Sequence, residues 1–573
     1  MKKRIFTGLF LPILLTLSLG VRIYGVHHGY PVLVSGDERP VCKNGLRFLV
    51  LNTLEPEHFN YPELYSYLFG GALYLYYLAG GLWQLGDLSS SAGFTWFFDP
   101  VEVALVGRLL SLLMGVGTVA VPFLIGRRAY GERVAAGAAL FAAFSSLLIQ
   151  QSRFALPDVT MTFFASVASL FLIGIAQRGD RLSYLTAGFF IGLATSTKYN
   201  GGMLLCGLLA SHLVHPRSRP DWKGILNLGI LLALGALLLG FLLGSPYWLL
   251  SFSKYYQALR YEQANVQFSL QAGNYPWLSL LSGLWSTEMI WGVLVTLGTI
   301  YALRRRTPSD RVLLAILLPT FLYIGSWPKG GLHYAIFLFP LLGILGARFA
   351  LEIKGDSFAR FAPLFLAAIS LPNLWNGFQS GQNLSREDIR ITAARWIESS
   401  IPDGTVVGVY SSGYYPPLKK TYVERRILRE MMQTKSQHPE IVASLKALEE
   451  ETSFYAWIDL EFSMDHLYVP PAYEQSVDID NPKTRRIFSR NYLSYEKMKS
   501  RGVEYAILPE ASYARFFTGE TPPPGTAEHY HYTRNRDYID QFFSSNDGRF
   551  ELIREFKPRD GSPGSKISLF RVR

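Results

Sequence analysis

The feature that most constrains this chain is a succession of long apolar runs between Ile5 and Phe378, separated by short polar breaks. A helix needs about 20 apolar residues to cross a bilayer core, where its backbone groups must pair within the segment. The runs therefore predict a polytopic α-helical membrane protein with about eleven transmembrane helices. The candidate spans are residues 5–23, 101–125, 134–151, 159–177, 183–197, 201–214, 224–245, 289–303, 311–326, 335–353 and 360–378.

The placement of basic residues predicts the orientation of these spans. Alternate loops between them are rich in Lys and Arg, including GRRAYGERV at 126–134, HPRSRPDWK at 215–223 and RRRTPSDR at 304–311. Because short basic loops remain in the cytoplasm, we expect a cytoplasmic start at Met1–Arg4 and an uncleaved first span. The formal net charge of +11 therefore reflects topology, and no basic patch with interleaved aromatic residues predicts nucleic-acid binding.

The segment 61–86, YPELYSYLFGGALYLYYLAGGLWQLG, is apolar enough to be taken for a further span. If it crossed the membrane, all later basic loops would move to the outer side, against their composition. Its tyrosines and Trp83 suit the headgroup region, so we expect an interfacial or re-entrant helix. The first extracytoplasmic loop, 26–100, then contains this helix.

The chain changes character after the last apolar run. Residues 379–573 carry charges and prolines throughout, and the span count places them outside the cytoplasm. We expect a transmembrane domain, 1–378, followed by an extracytoplasmic α/β domain, 379–573, in which no catalytic or metal motif is found. Its patterns predict helices in ITAARWIESSI (391–401) and YEKMKSRG (495–502), and strands in GTVVGVY (404–410), VEYAILP (503–509) and SKISLFRVR (565–573).

Charged and aromatic side chains are concentrated where the predicted spans meet the outer side. Singly, each has a structural explanation as a helix N-cap, a solvated turn, a snorkelling lysine or an interfacial aromatic residue. Together they would surround an anionic lipid headgroup, and ionisable groups at membrane depth are functional candidates. They are Asp37 and Glu38 in LVSGDERP, Arg153 and Asp158 in QSRFALPDVT, Lys198 and Tyr199 in STKYNGG, and Lys329, His333 and Tyr334 in WPKGGLHYAIF.

A series of motifs follows in order along the predicted transmembrane domain: GDE, HFNYPELYSYL, VGRLLSLLMGVGTV, QSRFALPDVTMTFF, LATSTKYNGG and KGGLHYAIFLFPLL. Together these motifs resemble the GT-C superfamily of membrane glycosyltransferases. The branch that they resemble is glycosyltransferase family 39-like, with protein O-mannosyltransferases and aminoarabinose transferases. The resemblance covers the predicted transmembrane domain, and the tail resembles C-terminal domains often appended to bacterial members.

The resemblance implies transfer of a sugar from a polyprenyl-phosphate donor to an acceptor on the extracytoplasmic face. Asp37 is the expected base for an acceptor hydroxyl, with Glu38 positioning the acceptor or sugar. Asp158 is by similarity the second acidic site residue, and attack opposite the phosphate would invert configuration. Cations would stabilise the departing phosphate. The expected phosphate- and substrate-binding residues are Arg153, Lys198, Tyr199, Arg108, Lys329, His333, Tyr334, His58 and Tyr61.

Metal dependence and substrate identity stay open at this point. Carboxylates suit a divalent cation, which Asp37 and Asp158 would hold, but acids from separate loops do not establish a metal site. The expected partners are a polyprenyl-phosphate-linked sugar donor, membrane lipid, and a glycan, lipid or protein acceptor. The chain departs from its relatives at YPEL, 61–64, where they often carry a second proline or a preceding lysine. A cation near the donor is then missing or supplied elsewhere.

Two other classes of protein remain as alternatives. A transporter of a lipid-linked or anionic solute also places charges near membrane depth, but the predicted spans show no inverted repeat and no acidic residue in mid-span. A non-catalytic anchor for the C-terminal domain would leave the outer charges without a role. We favour the enzyme, a multi-pass protein of a bacterial inner membrane whose active site and C-terminal domain are extracytoplasmic.

Overall fold

The computed structural model describes residues 2–573 except 31, 32, 34, 83–86, 216–226, 268–275, 328–330, 353–355, 411–415, 419, 422–428, 430, 431, 433–438, 452, 453, 519, 520, 545–547, 560 and 561. The chain separates into two compact units. The first comprises Met1–His28 and Asp37–Ser385, and the second comprises Gly29–Gly36 and Arg386–Arg573.

The first unit consists of helices. Its 3₁₀ helices, Tyr199–Met203 and Leu332–Leu338, directly precede α10 and α16 respectively. The α-helices in chain order are α1 (Lys2–Ile23), α2 (Glu38–Val50), α3 (Leu64–Leu78), α4 (Leu88–Phe98), α5 (Pro100–Tyr130), α6 (Glu132–Phe144), α7 (Ser146–Gln151), α8 (Pro157–Arg178), α9 (Arg181–Thr197), α10 (Leu204–Val214), α11 (Leu228–Gly244), α12 (Tyr247–Leu250), α13 (Phe252–Gln267), α14 (Pro276–Arg305), α15 (Pro308–Gly325), α16 (Phe339–Glu352) and α17 (Asp356–Ser385).

Where the structure describes them, the predicted spans coincide with these helices for most of their length, and residues 224–226 and 353 of the predicted spans lie outside the described residues. The prediction of a mostly helical chain with several membrane-length helices is confirmed, whereas the count of about eleven stays a prediction. Leu9–Ile23, Tyr199–Val214 and Leu228–Gly244 are shorter apolar helices. Within the described ranges, five stretches are long and apolar enough to cross a membrane: Pro100–Tyr130, Pro157–Arg178, Trp277–Arg305, Pro308–Gly325 and Leu332–Glu352.

The predicted span 134–151 is broken at Ser145, between α6 and α7. The start of α7 is capped from another helix, because the Glu288 carboxylate in α14 accepts hydrogen bonds from Ser145 Oγ at 2.8 Å and Leu147 N at 3.1 Å. A carboxylate at this place satisfies N–H groups that a helix start leaves free. Glu288 is fully buried. Glu288 directly precedes Met289, where the backbone of α14 leaves the helical conformation (φ 50°, ψ −125°), so this acid lies at the edge of the predicted span 289–303.

Arg22 of α1 occupies the other side of the same break. Its guanidinium donates to the carbonyls of Ala142 at 3.0 Å and Ala143 at 2.7 Å, at the end of α6. It also donates to Ser152 Oγ at 3.3 Å and is fully buried. A cation satisfies the carbonyl groups that a helix end leaves free. The break is thus stabilised by two opposite charges from two other helices.

Glycines allow α9 and α11 to cross in close contact. A Cβ on Gly188 would collide with the backbone of Ala233, and one on Gly192 with the backbone oxygen of Leu237. Small residues let helices in a membrane approach backbone to backbone. This crossing supports the end of α9, which is capped by Lys198.

The predicted interfacial segment 61–86 contains α3, whose 15 residues extend about 22 Å at 1.5 Å per residue. That length is short of the hydrocarbon core of about 30 Å, which is consistent with a helix that does not cross. Tyr74, Leu75 and Leu78 on it are exposed. Residues 83–86 of the predicted segment lie outside the described residues.

Helix α13 packs against the first loop, although no sequence pattern was assigned to it. Lys254 Nζ lies 2.7 Å from Glu55 Oε1, and Asn60 Nδ2 donates to Glu262 Oε1 at 2.6 Å. The ring of Tyr255 meets that of Phe59 edge to face at 4.9 Å. The first loop and α13, which lies about 200 residues later in the chain, are thereby packed against each other.

The second unit is a mixed α/β domain. Its sheet has the order β2-β3-β1-β6-β8-β7, parallel from β2 to β6 and antiparallel for β8 and β7, and β4 pairs with β5 separately. The helices and strands predicted from its sequence patterns are confirmed. The elements are α18 (Ile389–Ser400), β1 (Val406–Val409), β2 (Lys420–Thr421), α19 (Pro439–Glu451), β3 (Phe454–Asp459), β4 (Glu461–Ser463), α20 (Pro482–Phe488), β5 (Arg490–Tyr492), α21 (Tyr495–Ser500), β6 (Tyr505–Pro509), α22 (Glu510–Tyr513), α23 (Ala527–Phe543), β7 (Phe550–Phe556) and β8 (Ile567–Val572).

Candidate active site

An ion pair between Lys198 and Asp158 forms the centre of the candidate site. Pro157 is the first residue of α8 and fixes the backbone there, so that Asp158 lies in the first helical turn. Lys198 follows the last residue of α9 in an extended conformation. The distance from Lys198 Nζ to Asp158 Oδ1 is 2.8 Å, and both side chains are buried. Two residues predicted separately are thus joined in one pair.

Two tyrosine rings flank the Lys198 ammonium. Its Nζ lies 5.5 Å from the ring centroid of Tyr61 and 5.4 Å from that of Tyr334. Both distances are within the range of a cation–π contact. Tyr334 is held by the ring of His333 at 4.1 Å and by Trp327 at 5.4 Å. Four residues predicted from the sequence are therefore grouped at Lys198. Asp158 pairs with its ammonium, Tyr61 and Tyr334 flank it, and His333 packs against Tyr334.

Asp37 faces the same tyrosine as Asp158. It is exposed and caps α2 without a side-chain hydrogen bond to the helix start. Burial raises the pKa of Tyr61, and the charges of Asp158, Asp37 and Glu262 raise it further. Electrostatic coupling of this kind requires proximity. An accessible carboxylate and a buried ion pair therefore both lie near one phenol.

Glu38 and Arg108 contact each other instead of the site. Arg108 Nε and Nη2 donate to the two Glu38 carboxylate oxygens at 2.8 Å each, and both side chains are fully buried. Arg108 Nη1 donates to the carbonyls of Val26 and His28, and Ala155 N donates to Glu38. The side-chain nitrogens of Arg108 and the carboxylate of Glu38 are thus bound to protein groups, and the predicted roles of this pair toward the acceptor, sugar or phosphate stay predictions.

Arg153 also has an internal role. Its Nη2 donates to the carbonyls of Val21 at 2.7 Å and Gly377 at 2.8 Å, which joins α1 to α17. Its own carbonyl contacts His28 Nε2 at 3.3 Å. Burial, and then the charge of Arg108, lowers the pKa of His28 to about 4, so this ring is neutral. Arg153 thus connects three parts of the bundle through Nη2 and its carbonyl, while its Nε and Nη1 have no hydrogen-bond partner among the described residues. Its predicted role in binding the phosphate stays a prediction.

The remaining predicted residues are placed as follows. The hydroxyl of Tyr199 is buried near Glu63, one residue after Lys198 in the chain. His58 is half-buried and lies 3.8 Å from a Glu57 oxygen. Lys329 lies outside the described residues. The structure therefore brings Asp158, Lys198, Tyr61, Tyr334 and His333 together, with Asp37 close by.

Three residues near this cluster were missed by the sequence analysis: Glu63, Tyr255 and Glu262. Glu63 is 1% exposed and precedes the first residue of α3. The signal for it was a single acid in an otherwise apolar segment, directly after Pro62. The other two lie on α13, whose sequence FSKYYQALRYEQANVQ mixes strong helix formers such as Lys, Gln, Ala, Leu, Arg and Glu with weaker ones such as Ser, Tyr and Asn.

The acids near Lys198 do not by themselves identify a metal-binding site. In the part of the chain that the structure describes, no three His, Cys, Asp or Glu side chains group in a way that could hold a metal ion. The acids near Tyr61 come from three separate elements. A divalent cation held by Asp37 and Asp158 stays a prediction.

The arrangement can carry out three tasks. The Asp37 carboxylate is accessible to a hydroxyl and can accept its proton. Lys198 is a cation in a low-dielectric place, where its field on a phosphate is strong. The aromatic rings exclude water around it while leaving its charge available. These properties suit a displacement in which an anionic group leaves.

Part of the chain matches a known protein family. Residues 94–249, which include Asp158 and Lys198, match the family described as dolichyl-phosphate-mannose-protein mannosyltransferase. A search of curated protein sequences finds no match. The resemblance predicted from the motifs is confirmed by this family match.

Solved structures show the same fold. The oligosaccharyltransferase of Archaeoglobus fulgidus in its apo form has a TM-score of 0.51 and 12% identity, over 90% of this chain and 71% of that chain. ArnT from Cupriavidus metallidurans, bound to undecaprenyl phosphate, has a TM-score of 0.50 and 14% identity, over 99% of this chain and 98% of that chain. The chain thus has a GT-C-like fold.

Proposed function

We propose that this multi-pass, polyprenyl-phosphate-dependent membrane glycosyltransferase moves one sugar from its lipid-linked donor to an acceptor hydroxyl on the extracytoplasmic side, with inversion at the anomeric carbon. The observation that carries the proposal is the buried Lys198–Asp158 pair between two tyrosine rings, with Asp37 exposed beside it. Support for the lipid carrier comes from the similar ArnT structure, which holds undecaprenyl phosphate.

In this reaction, the acceptor oxygen attacks the anomeric carbon as its proton passes to Asp37. The bond from that carbon to the phosphate oxygen breaks, and the electron pair leaves on the polyprenyl phosphate. Lys198 stabilises the phosphate, because the ammonium is already desolvated and held in position by Asp158. Attack from the side opposite the phosphate inverts the configuration.

The experiment uses purified full-length protein in nanodiscs with labelled polyprenyl-phosphate sugars, with and without candidate acceptors. We expect turnover or donor hydrolysis by the wild type, and a loss of at least about 100-fold in Asp37→Asn, the scale of a general base. Asp180→Asn is the matched control, since Asp180 also caps a helix but lies at the opposite end of α9 from Lys198. Equal turnover of the Asp37 variant and wild type would refute the assignment of the base. A wild type inactive with every donor would favour the transporter or the anchor.

A further inference from the structure

Three shielded polar atoms lie together beside the candidate site without a hydrogen-bond partner. They are Glu63 Oε1, Tyr199 Oη and Tyr255 Oη, none of which has a hydrogen-bond partner among the residues that the structure describes. They come from the start of α3, from the 3₁₀ helix after Lys198, and from α13. Buried polar atoms in folded proteins are nearly always paired, so three unpaired ones in one place require an explanation.

Electrostatic coupling shows that the three groups are neighbours. The pKa of Tyr255 is raised by burial first and then by Glu63 and Tyr199. The hydroxyl of Tyr255 faces the Glu63 carboxyl closely enough to influence its protonation, although their geometry falls short of an ordinary hydrogen bond. Ser245 Oγ, at the end of α11, donates to the other carboxylate oxygen, Oε2. Four elements thus direct polar groups into one place.

The chemistry of the cluster differs from that of the Lys198 site. It contains one carboxyl group and three hydroxyl groups, and each of its unpartnered atoms can accept a hydrogen bond, while the phenols can also donate one. A phosphate requires cations or backbone N–H groups instead. Hydroxyl groups of a neutral sugar ring match such an array, because each of them both donates and accepts.

We infer that Glu63, Tyr199 and Tyr255 bind the hydroxyl groups of the neutral sugar that the donor carries, an assignment that rests on the proposed function. The adjacency of Tyr199 to Lys198 places this subsite next to the cation that holds the phosphate. The anomeric carbon then lies between the two, as the reaction requires.

A charge argument adds that the sugar is not acidic. Burial raises the pKa of Glu63 to about 7. The group is therefore a mixture of protonated and ionised forms near neutral pH, and the ionised form repels a carboxylate on the ligand. Uronic acid donors should react more slowly than their neutral counterparts, and more so as the pH rises.

The first arm of the test measures stability without ligand. Tyr199→Phe removes a hydroxyl that has no partner among the described residues, so the Tm of the full-length protein should stay unchanged or rise. Tyr65→Phe is the matched control, because the buried Tyr65 hydroxyl donates to Gly107 O at 2.9 Å and should cost stability when removed. A fall in the Tm of Tyr199→Phe equal to that of the control would identify a structural role and overturn the inference.

The second arm measures kcat/KM with neutral donors and with analogues that each lack one sugar hydroxyl. With the complete sugar, the kcat/KM of Tyr199→Phe should be about tenfold below that of the wild type, the value of one neutral hydrogen bond. With the one analogue that lacks the hydroxyl bound by Tyr199, the variant and the wild type should have the same kcat/KM. Binding of sugar-free undecaprenyl phosphate should be unchanged. If the variant prefers the complete sugar over each analogue by the same factor as the wild type, the inference is wrong but the proposed function stands. If the wild type is inactive with every donor, both the inference and the proposed function are wrong.

The sugar ring in the subsite could belong to the donor or to a glycan acceptor. Donor hydrolysis measured without any acceptor distinguishes the two. If the effects of Tyr199→Phe persist there, the subsite holds the donor sugar. If they appear only in transfer to a glycan acceptor, the subsite holds the acceptor and the assignment to the donor is wrong.

Discussion

Lys198 Nζ and Asp158 Oδ1 lie 2.8 Å apart, although the two residues are separated by 40 positions and belong to the end of one helix and the start of another. The carboxylate compensates a cation that is otherwise buried, and it directs the ammonium toward the space between Tyr61 and Tyr334. Breaking such a pair leaves one charge uncompensated. This relationship leads to the first prediction.

Asp158→Asn and Lys198→Gln should each lower sugar transfer by at least about 100-fold, since we propose that Lys198 stabilises the leaving phosphate and that Asp158 positions Lys198. Lys198→Arg should recover part of the rate because the charge is retained. Steady-state kinetics with a polyprenyl-phosphate sugar measures these effects. Lys43→Gln, on an exposed face of α2, is the control with unchanged rate. Full activity of Lys198→Gln would show that another group holds the phosphate.

The Glu38–Arg108 pair should matter for folding, independently of chemistry. Arg108→Met or Glu38→Leu alone leaves a fully buried charge, which costs about 3–5 kcal/mol. The double variant should recover much of that loss. Thermal denaturation in detergent of both single variants and the double variant measures this. If the double variant were as stable as wild type yet inactive, the pair would have a catalytic role that the geometry does not indicate.

Glu63 gives a pH dependence of stability. Its pKa is raised by burial to about 7 from an ordinary value of 4.5, so the native state binds this proton more tightly than the unfolded chain does. The free energy of unfolding should therefore fall as the pH rises from 4.5 to 7, and then level off. Glu63→Gln removes the fall and should exceed wild type at pH 8 by up to about 3 kcal/mol. Parallel melting curves across pH, with exposed Glu57→Gln as the control, test this; identical slopes for wild type and Glu63→Gln contradict it.

The crossing of α9 and α11 gives a matched pair of glycine variants. Gly192→Ala would place a Cβ against the backbone oxygen of Leu237 and should destabilise the protein, because neither backbone can yield easily. Gly235→Ala on α11 meets nothing within 4 Å and should be neutral or stabilising by up to about 1 kcal/mol. The two Tm values in one detergent decide the matter. Equal Tm shifts would mean that the helices are farther apart than described.

Much of the fold could be predicted because apolar runs and basic loops follow from the physics of the bilayer. The break at Ser145 could not, since its two caps, Arg22 and Glu288, are far away in sequence. Neither could the start of α14, where polar residues dilute the apolar pattern before residue 289.

The candidate site was predictable in kind but not in detail. Asp158 and Lys198 were singled out individually, because charges at the ends of apolar runs are conspicuous, yet only the fold pairs them. Arg108 and Arg153 carried the same signal and turned out to hold backbone and carboxylate groups inside the bundle. A sequence does not distinguish a cation that faces a ligand from one that faces a neighbouring helix. Glu63 was overlooked because one acid after a proline resembles an ordinary helix start.

The break between α6 and α7 has a consequence for how the protein is made. Arg22 emerges from the ribosome before α6, whereas Glu288 follows Ser145 by 143 residues. The carbonyl groups at the end of α6 can therefore pair with Arg22 early in synthesis. The N–H groups at the start of α7 can pair with Glu288 only when α14 has been inserted. We predict that nascent chains truncated before Glu288 react with a thiol reagent at a cysteine placed at Ser146, while chains extended through α14 are protected. Equal labelling of both would show that α7 settles without its acidic cap.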